Sequence, residues 1–296
     1  MKKSNNKTKK VKEAFEKIVQ GATNIIFSGK YEEFLKFSKN FHDYSIGNRI
    51  LIYSQMRNAT QVAGFKKWES MGRKLKKGAK GIQIIYPIKR KYTTKIEGQA
   101  SIIENEEEKR EETVEYISYG YTYVYDISQT VGKPVPKINN TLTSNIGSYT
   151  LDSNTRGEFL EFLKKFSPYP VLENNLSPGL FGYWSKGNKH IVLRKSLSID
   201  DKVSTLLHEL THALYDDFNY QEDKVLSEIF VESVAYIVAD YFDLDTSKCS
   251  FNYINNYANG DIKVILDLGD KIQKTSNTFI KQLKGEFENK NIKIAS

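Results

Sequence analysis

The sequence predicts an α+β protein of two domains, a small α/β domain followed by a mostly helical one. Three observations carry this expectation. The first half mixes helical periodicity with runs of strand composition, whereas the second holds two strongly helical segments bearing His208-Glu209-Leu210-Thr211-His212 and Glu228-Ile229-Phe230-Val231-Glu232. The halves also differ in charge: residues 1–91 contain 22 Lys and Arg against 6 Asp and Glu, and the remaining 205 contain 22 against 30. A length of 296 residues suits two domains, each able to bury its own core.

Residues 1–10 are polar and basic without periodicity and read as a disordered tail able to touch phosphates. Helical spacing follows in Val11 to Ser28, through Phe15, Ile18, Val19 and Ala22, and again in Tyr31 to Phe41. A third helix, Tyr44 to Gln55, has an apolar side and carries Tyr44, Asn48 and Arg49, polar side chains that hydrogen-bond readily.

From Val62 to Gly81 the chain is basic, with Lys66, Lys67, Arg73, Lys74, Lys76, Lys77 and Lys80 bracketed by Phe65 and Trp68. Charges interleaved with aromatics suit a single strand, whose phosphates meet the cations while its bases stack on rings. The alternative is a solvated basic loop with Trp68 in the core. Two runs of strand composition, Ile82 to Ile88 and Tyr116 to Ile127, flank a Lys-rich and then Glu-rich stretch that includes the acidic segment 104–115. It reads as an exposed hairpin excursion.

Gly132, Pro134, Pro136 and Asn139-Asn140 mark a linker, placed at residues 138–148, so that the first domain spans 11–137 and the second 149–296. In the second, Arg156 to Phe166 reads as a helix. Tyr183-Trp184 and His190 to Leu193 flank the turn Ser185 to Asn188 as a hairpin. Asp261 to Phe287 has the spacing of a final amphipathic helix.

Between hairpin and final helix lies the segment Ser198 to Phe218, helical by the spacing of Val203, Leu206, Leu207, Leu210 and Leu214, with Ser198 and Asp201 as a start signal. On a helix, His208 and His212 stand one turn apart and about 40° around the axis, so both imidazoles reach one ion. That is the spacing of a zinc site. Glu209 points off that face and is placed to take a proton from a water held there, the division of labour of H-E-x-x-H hydrolases. A catalytic Zn²⁺ needs a third protein ligand and one open position. Lys224 to Phe242 is otherwise apolar, and carboxylates in such a helix need a reason. Glu228 is therefore the candidate third ligand, and Glu232 the acceptor that orients a ligand histidine through its other ring nitrogen.

One cysteine, Cys249, excludes an internal disulfide and any Cys-rich metal site and suits a reducing compartment. No run of 18 apolar residues occurs, and no apolar stretch follows the Lys-rich start, so the expectation is a cytoplasmic protein with no membrane partner.

The carboxylate pair after H-E-x-x-H resembles the gluzincin metallopeptidases. More closely, Ser227 to Tyr236 followed by Asp243-Leu-Asp-Thr-Ser247 resembles the zinc-peptidase-like domain of ImmA/IrrE type found in proteins of conjugative elements, where a small residue usually stands at Val231. Tyr44-Ser45, Asn48 and Leu51, the stretch Val62 to Gly72, Lys77 to Gly81 and Val124 to Thr130 resemble the N-terminal domain of ArdC-type antirestriction proteins and their LtrC-like relatives. The resemblance implies a single-stranded-DNA-binding domain followed by a zincin-like domain, with Zn²⁺ held by His208, His212 and Glu228, Glu209 as base, and single-stranded DNA and an unknown protein substrate as partners. It adds Tyr44, Asn48 and Arg49 to the candidate DNA contacts. In zincins a strand edge before the metal helix pairs with extended substrate, which points to Gly182 to Leu193. Tyr183, Tyr215 and Tyr236 are candidates for stabilising an oxyanion. A rival reading stands beside the peptidase: a non-enzymatic antirestriction protein that protects entering DNA, its zinc domain structural or silent.

Overall fold

The structure, a computed structural model, describes residues 2–41, 43–96, 110–135, 153–218, 223–242, 244 and 262–289. The expected linker 138–148, Cys249 and the first half of the acidic segment, 104–109, lie outside these residues.

The first half opens on α1 (Lys2–Phe27), α2 (Tyr31–Ser38) and α3 (Ile46–Gln55). Ala14, Ile18, Ala22 and Ile25 of α1 bury one stripe against Ile50, Leu51 and Ile52 of α3. Here one expectation is corrected: residues 2–10 are helical, not a disordered tail. The extension is held at its inner end. The Lys10 carbonyl accepts from Gln83 Nε2 at 3.1 Å, and Lys10 Nζ donates to Tyr123 Oη at 3.2 Å.

After β1 (Val62–Ala63), α4 (Phe65–Ser70) and β2 (Arg73–Leu75) comes a long antiparallel ribbon of β3 (Ile82–Ile96) and β4 (Arg110–Asp126). Strand order is β1-β4-β3, and β2 pairs separately with β5 (Thr130–Gly132). Both strands run further than sequence composition marks them. The excursion is thus ordered ribbon at its base, paired from Lys89 with Ile117 out to Ile96 with Arg110. Asp126 closes the end of β4: its carboxylate accepts from the backbone N–H groups of Thr60 at 2.8 Å, Gln61 at 3.0 Å and Ser128 at 2.9 Å.

The second half contains α5 (Ser153–Phe166), a sheet of β6 (Val171–Asn174), β7 (Gly182–Ser185) and β8 (His190–Arg194) in the order β6-β8-β7, then α6 (Ile199–Tyr215), α7 (Lys224–Tyr241) and α8 (Ile262–Asn289). Strand β8 is central, and Ile191, Val192 and Leu193 are wholly buried. The N-terminus of α6 is fixed as its sequence implies: Ser198 Oγ accepts from the Asp201 N–H at 3.2 Å, and Asp200 and Asp201 lie in the first turn, where the helix dipole favours acids.

The two halves are stitched together. Helix α8 returns to the first half, where Asp270 accepts from the Ile46 N–H at 2.7 Å and Gly269 lets Ile46 lie against the helix backbone. Helix α2 lies on α7, with Tyr31 Oη and Ser233 Oγ 3.0 Å apart and Lys39 paired to Asp240 at 2.8 Å. The residues on either side of the expected linker at 138–148 thus pack on one another. No described helix is long and apolar enough to cross a membrane.

Candidate metal centre and nucleic-acid surface

Helices α6 and α7 pack through a fully buried seam including Leu206, Leu210, Val231 and Val234, and this seam sets the height of the polar residues at its edge. His208, His212 and Glu228 meet there, with one candidate ligand atom from each lying within 4.8 Å of the other two. Glu228 Oε2 is 3.7 Å from His208 Nε2 and 3.9 Å from His212 Nε2. Donors around a tetrahedral ion with bonds of about 2.0–2.1 Å stand roughly 3.4 Å apart, close to both glutamate–histidine spacings. The donor set fits a divalent first-row metal.

The remaining ring nitrogens are held from outside. His208 Nδ1 lies 2.9 Å from Glu232 Oε2, the role expected for that carboxylate. His212 Nδ1 lies 2.8 Å from Asp216 Oδ2, a partner that the sequence reading missed. Asp216 is itself fixed by Ser227 Oγ at 2.6 Å and by the Phe218 N–H at 3.1 Å. These carboxylates leave both Nε2 atoms facing Glu228. Burial raises the Asp216 carboxyl, but the hydrogen bonds from His212, Ser227 and Phe218 outweigh it and hold the group below its ordinary value. For His208 burial acts downward, and the Glu232 hydrogen bond with the surrounding carboxylates carries it above the usual imidazole range.

Glu209 is buried and stands outside the donor triad. Burial pushes its carboxyl up against the lowering influence of both histidines and of the nearby Trp184 backbone N–H. That N–H belongs to β7, which lies close on α6 because residue 182 is glycine: a Cβ there would stand 2.6 Å from Thr205 Cγ2. Of the tyrosines considered for an oxyanion, Tyr215 donates to Gln282, and Tyr236 is buried with its hydroxyl 3.4 Å from Glu32. Only Tyr183, on the edge strand β7, stands exposed.

The candidate DNA residues are not brought together as a unit. Trp68 is wholly buried and donates from Nε1 to the Tyr125 carbonyl at 2.8 Å, so it has no face for a base and its assignment as a stacking residue is corrected. Arg49 is likewise buried, donating to Gln273 at 2.5 Å with Asp270 at 3.6 Å, and burial lowers its pKa to about 10. It braces α3 against α8 and has no surface left for a phosphate. Asn48 spends its amide on Ile85, donating to the carbonyl at 2.8 Å and accepting from the N–H at 2.9 Å. Tyr44 bonds the Val62 carbonyl at 3.4 Å, and Arg73 clasps β5 through Thr130 at 2.7 Å. Lys66, Lys67, Lys74, Lys77 and Lys80 are exposed, as is Lys76, which reaches the Ser128 carbonyl at 2.7 Å. The sequence signals for Tyr44, Asn48 and Arg49 were polarity and a family resemblance, both of which fit a fold-bracing residue as well as a binding one.

Comparison with known proteins places this geometry in context. Residues 3–125 match the family model described as the N-terminal domain of anti-restriction factor ArdC. The chain is 27% identical over 298 residues to the uncharacterized protein pXO2-81 of Bacillus anthracis, which it covers to 50% while 91% of the present chain is matched. It thus spans about half the length of that curated relative. Among solved structures it is similar to the antirestriction ArdC protein of plasmid R388, at 14% identity. The metal-free form gives a TM-score of 0.50 over 82% of this chain and 86% of that one. The Mn(II)-bound form gives 0.51 over 81% and 85%. At that identity the likeness is one of fold.

Proposed function

We propose that the chain is an antirestriction-type protein of a mobile element that binds single-stranded DNA through its first half and holds a divalent metal between α6 and α7. The match of residues 3–125 to the ArdC N-terminal domain and the fold shared with R388 ArdC support the antirestriction part, and the Mn(II)-bound form of that protein supports a divalent ion. Zinc is our choice of metal, since two imidazoles and one carboxylate are a donor set it favours.

On catalysis, we infer a metallopeptidase-type hydrolysis from one observation: a buried carboxylate, Glu209, stands beside the donor triad without belonging to it. A metal bound there supplies Lewis acidity to a carbonyl and acidifies a water. His208, His212 and Glu228 hold the ion, and Glu232 and Asp216 keep both imidazoles turned toward it. Glu209, its pKa raised by burial, accepts a proton from the attacking water and returns it to the leaving amine. The open edge of β7 gives an extended peptide a strand to pair with.

The second reading is a non-enzymatic antirestriction protein with a silent metal domain. It is favoured by the family model and the solved structures, whose names are those of antirestriction proteins. Glu209→Gln separates the two. The hydrolytic reading expects a variant that retains fold, metal and DNA binding, while cleavage products that mass spectrometry finds in cells expressing the wild type disappear. An unchanged product profile together with unchanged protection of entering DNA leaves the non-enzymatic reading standing.

A further inference from the structure

We propose that a single-stranded nucleic acid is read on the face of the β3–β4 ribbon that carries Tyr119 and Tyr123, with these rings and Phe15 of α1 stacking on bases, and not on the tryptophan of the basic loop. The inference rests on the DNA-binding reading above and locates it.

Register fixes the face. Ile117, Tyr119, Tyr121 and Tyr123 lie opposite Lys89, Pro87, Ile85 and Gln83, so these residues point to one side of the ribbon. Side chains two apart on a strand stand about 6.6 Å from each other, the scale of a stretched single strand's step between bases. Gln83 and Ile85 of β3 are buried on this side, Gln83 against α1, while the β4 residues Ile117, Tyr119 and Tyr123 are left open. Phe15 meets Tyr119 edge-on with centroids 5.2 Å apart, yet Phe15 remains 39% exposed, Tyr119 44%, Tyr123 39% and Ile117 59%. So large a group of exposed aromatic and apolar residues on one side marks an interaction surface.

Charge decides the partner. Lys10 Nζ sits over the rings of Tyr121 and Tyr123 at 5.2 and 5.7 Å, so a cation is already fixed beside the aromatic faces. Lys12 is exposed one turn from Phe15, and Lys89 is exposed beside Ile117. On the ribbon, Glu115 is neutralised by Lys91 at 2.5 Å; on the helix, Glu13 and Glu16 are the acids near Phe15. At the other end the strip runs into the basic loop. A Cβ on Gly81 would stand 3.0 Å from the Tyr123 ring, so that ring lies across the glycine next to exposed Lys80. Phosphates can thus follow lysines along both borders while bases meet the rings, the arrangement of sequence-tolerant single-strand platforms. An apolar protein partner would have no use for the lysine border.

The test uses the full chain and a labelled oligo-dT carrying 5-iododeoxyuridine. Photocross-links in wild-type protein should fall at Tyr119, Tyr123 or Phe15. Combined Tyr119→Ala and Tyr123→Ala should weaken binding roughly 5- to 150-fold per base stacked while leaving the salt dependence unchanged, and Tyr→Phe at both should restore it. Cross-links confined to residues 64–80, with the alanine variant binding as wild type, would overturn the inference and leave the DNA reading intact. If the wild type binds no single strand, both fall. Absence of binding combined with self-association that Ile117→Ser abolishes would reassign the face to a second copy of this chain.

Discussion

The cleft between α6 and α7 and the ribbon-and-loop surface of the first half solve opposite problems. In the cleft, polar atoms are braced in series: Ser227 and the Phe218 N–H hold Asp216, Asp216 holds His212, and Glu232 holds His208. On the basic surface, the lysines 66, 67, 74, 77 and 80 are exposed on a short helix, a strand and loops. A compact ion with fixed bond lengths needs the first arrangement, and a polyanion whose phosphates can shift needs only the second. The cleft should therefore fail at single substitutions, whereas the surface should weaken by degrees.

The largest effect is expected from His208→Ala or His212→Ala, each of which should abolish stoichiometric metal binding in elemental analysis while the helical circular dichroism persists. Full retention of one ion per chain would break the assignment of the cleft. Next comes Trp68→Ala. Emptying a wholly buried indole costs about 3–5 kcal/mol, read as a lower urea midpoint. Binding of oligo-dT per folded molecule should hold, and a loss of DNA affinity without a loss of stability would return Trp68 to the DNA surface.

The contrast also governs what was legible in the sequence. His208, Glu209, His212, Glu228 and Glu232 were readable because one-turn spacing on a helix is local geometry, and both helices announce themselves by apolar period and, for α6, by the Ser198 cap. Asp216 obeys the same rule, four residues beyond His212, but it lies at the end of α6, where an acid carries no apolar context to mark it. Composition, which marks the basic stretch, and family resemblance, which marks Tyr44, Asn48 and Arg49, do not say which way a side chain faces. Trp68 and Arg49 turned inward, where the indole N–H finds the Tyr125 carbonyl and the guanidinium finds Gln273. The usable signal was alternation: Tyr119, Tyr121 and Tyr123 recur at the strand period, with Gly120 making room for the Tyr86 ring on the opposite side. Long-range features such as the return of α8 to α3 leave no local pattern.

A smaller effect sharpens the cleft side. Glu232→Ala and Asp216→Ala should each lower metal affinity about 10- to 100-fold without abolishing it, as loss of a carboxylate behind a ligand imidazole usually does. Calorimetric titration with zinc separates this from the complete loss expected at the histidines, and an Asp216→Ala affinity equal to wild type would remove that residue from the centre. Smallest are single changes among Lys66, Lys67, Lys74, Lys77 and Lys80. Each lysine that contacts a phosphate should reduce the slope of log affinity against log salt by about 0.7. A single lysine whose removal eliminates binding would contradict the distributed character of that surface.

A cleft in which His208, His212 and Glu228 hold one divalent ion, with Glu209 beside it and unbound, has a distinct spectroscopic signature. X-ray absorption at the zinc edge, on the full chain loaded with one equivalent of zinc, reads this directly. The expected result is two imidazole nitrogens with oxygen donors at about 2.0–2.1 Å, a spectrum unchanged in Glu209→Gln and a protein oxygen lost in Glu228→Ala. A spectrum with fewer than two imidazoles, or one altered by Glu209→Gln and indifferent to Glu228→Ala, would contradict it.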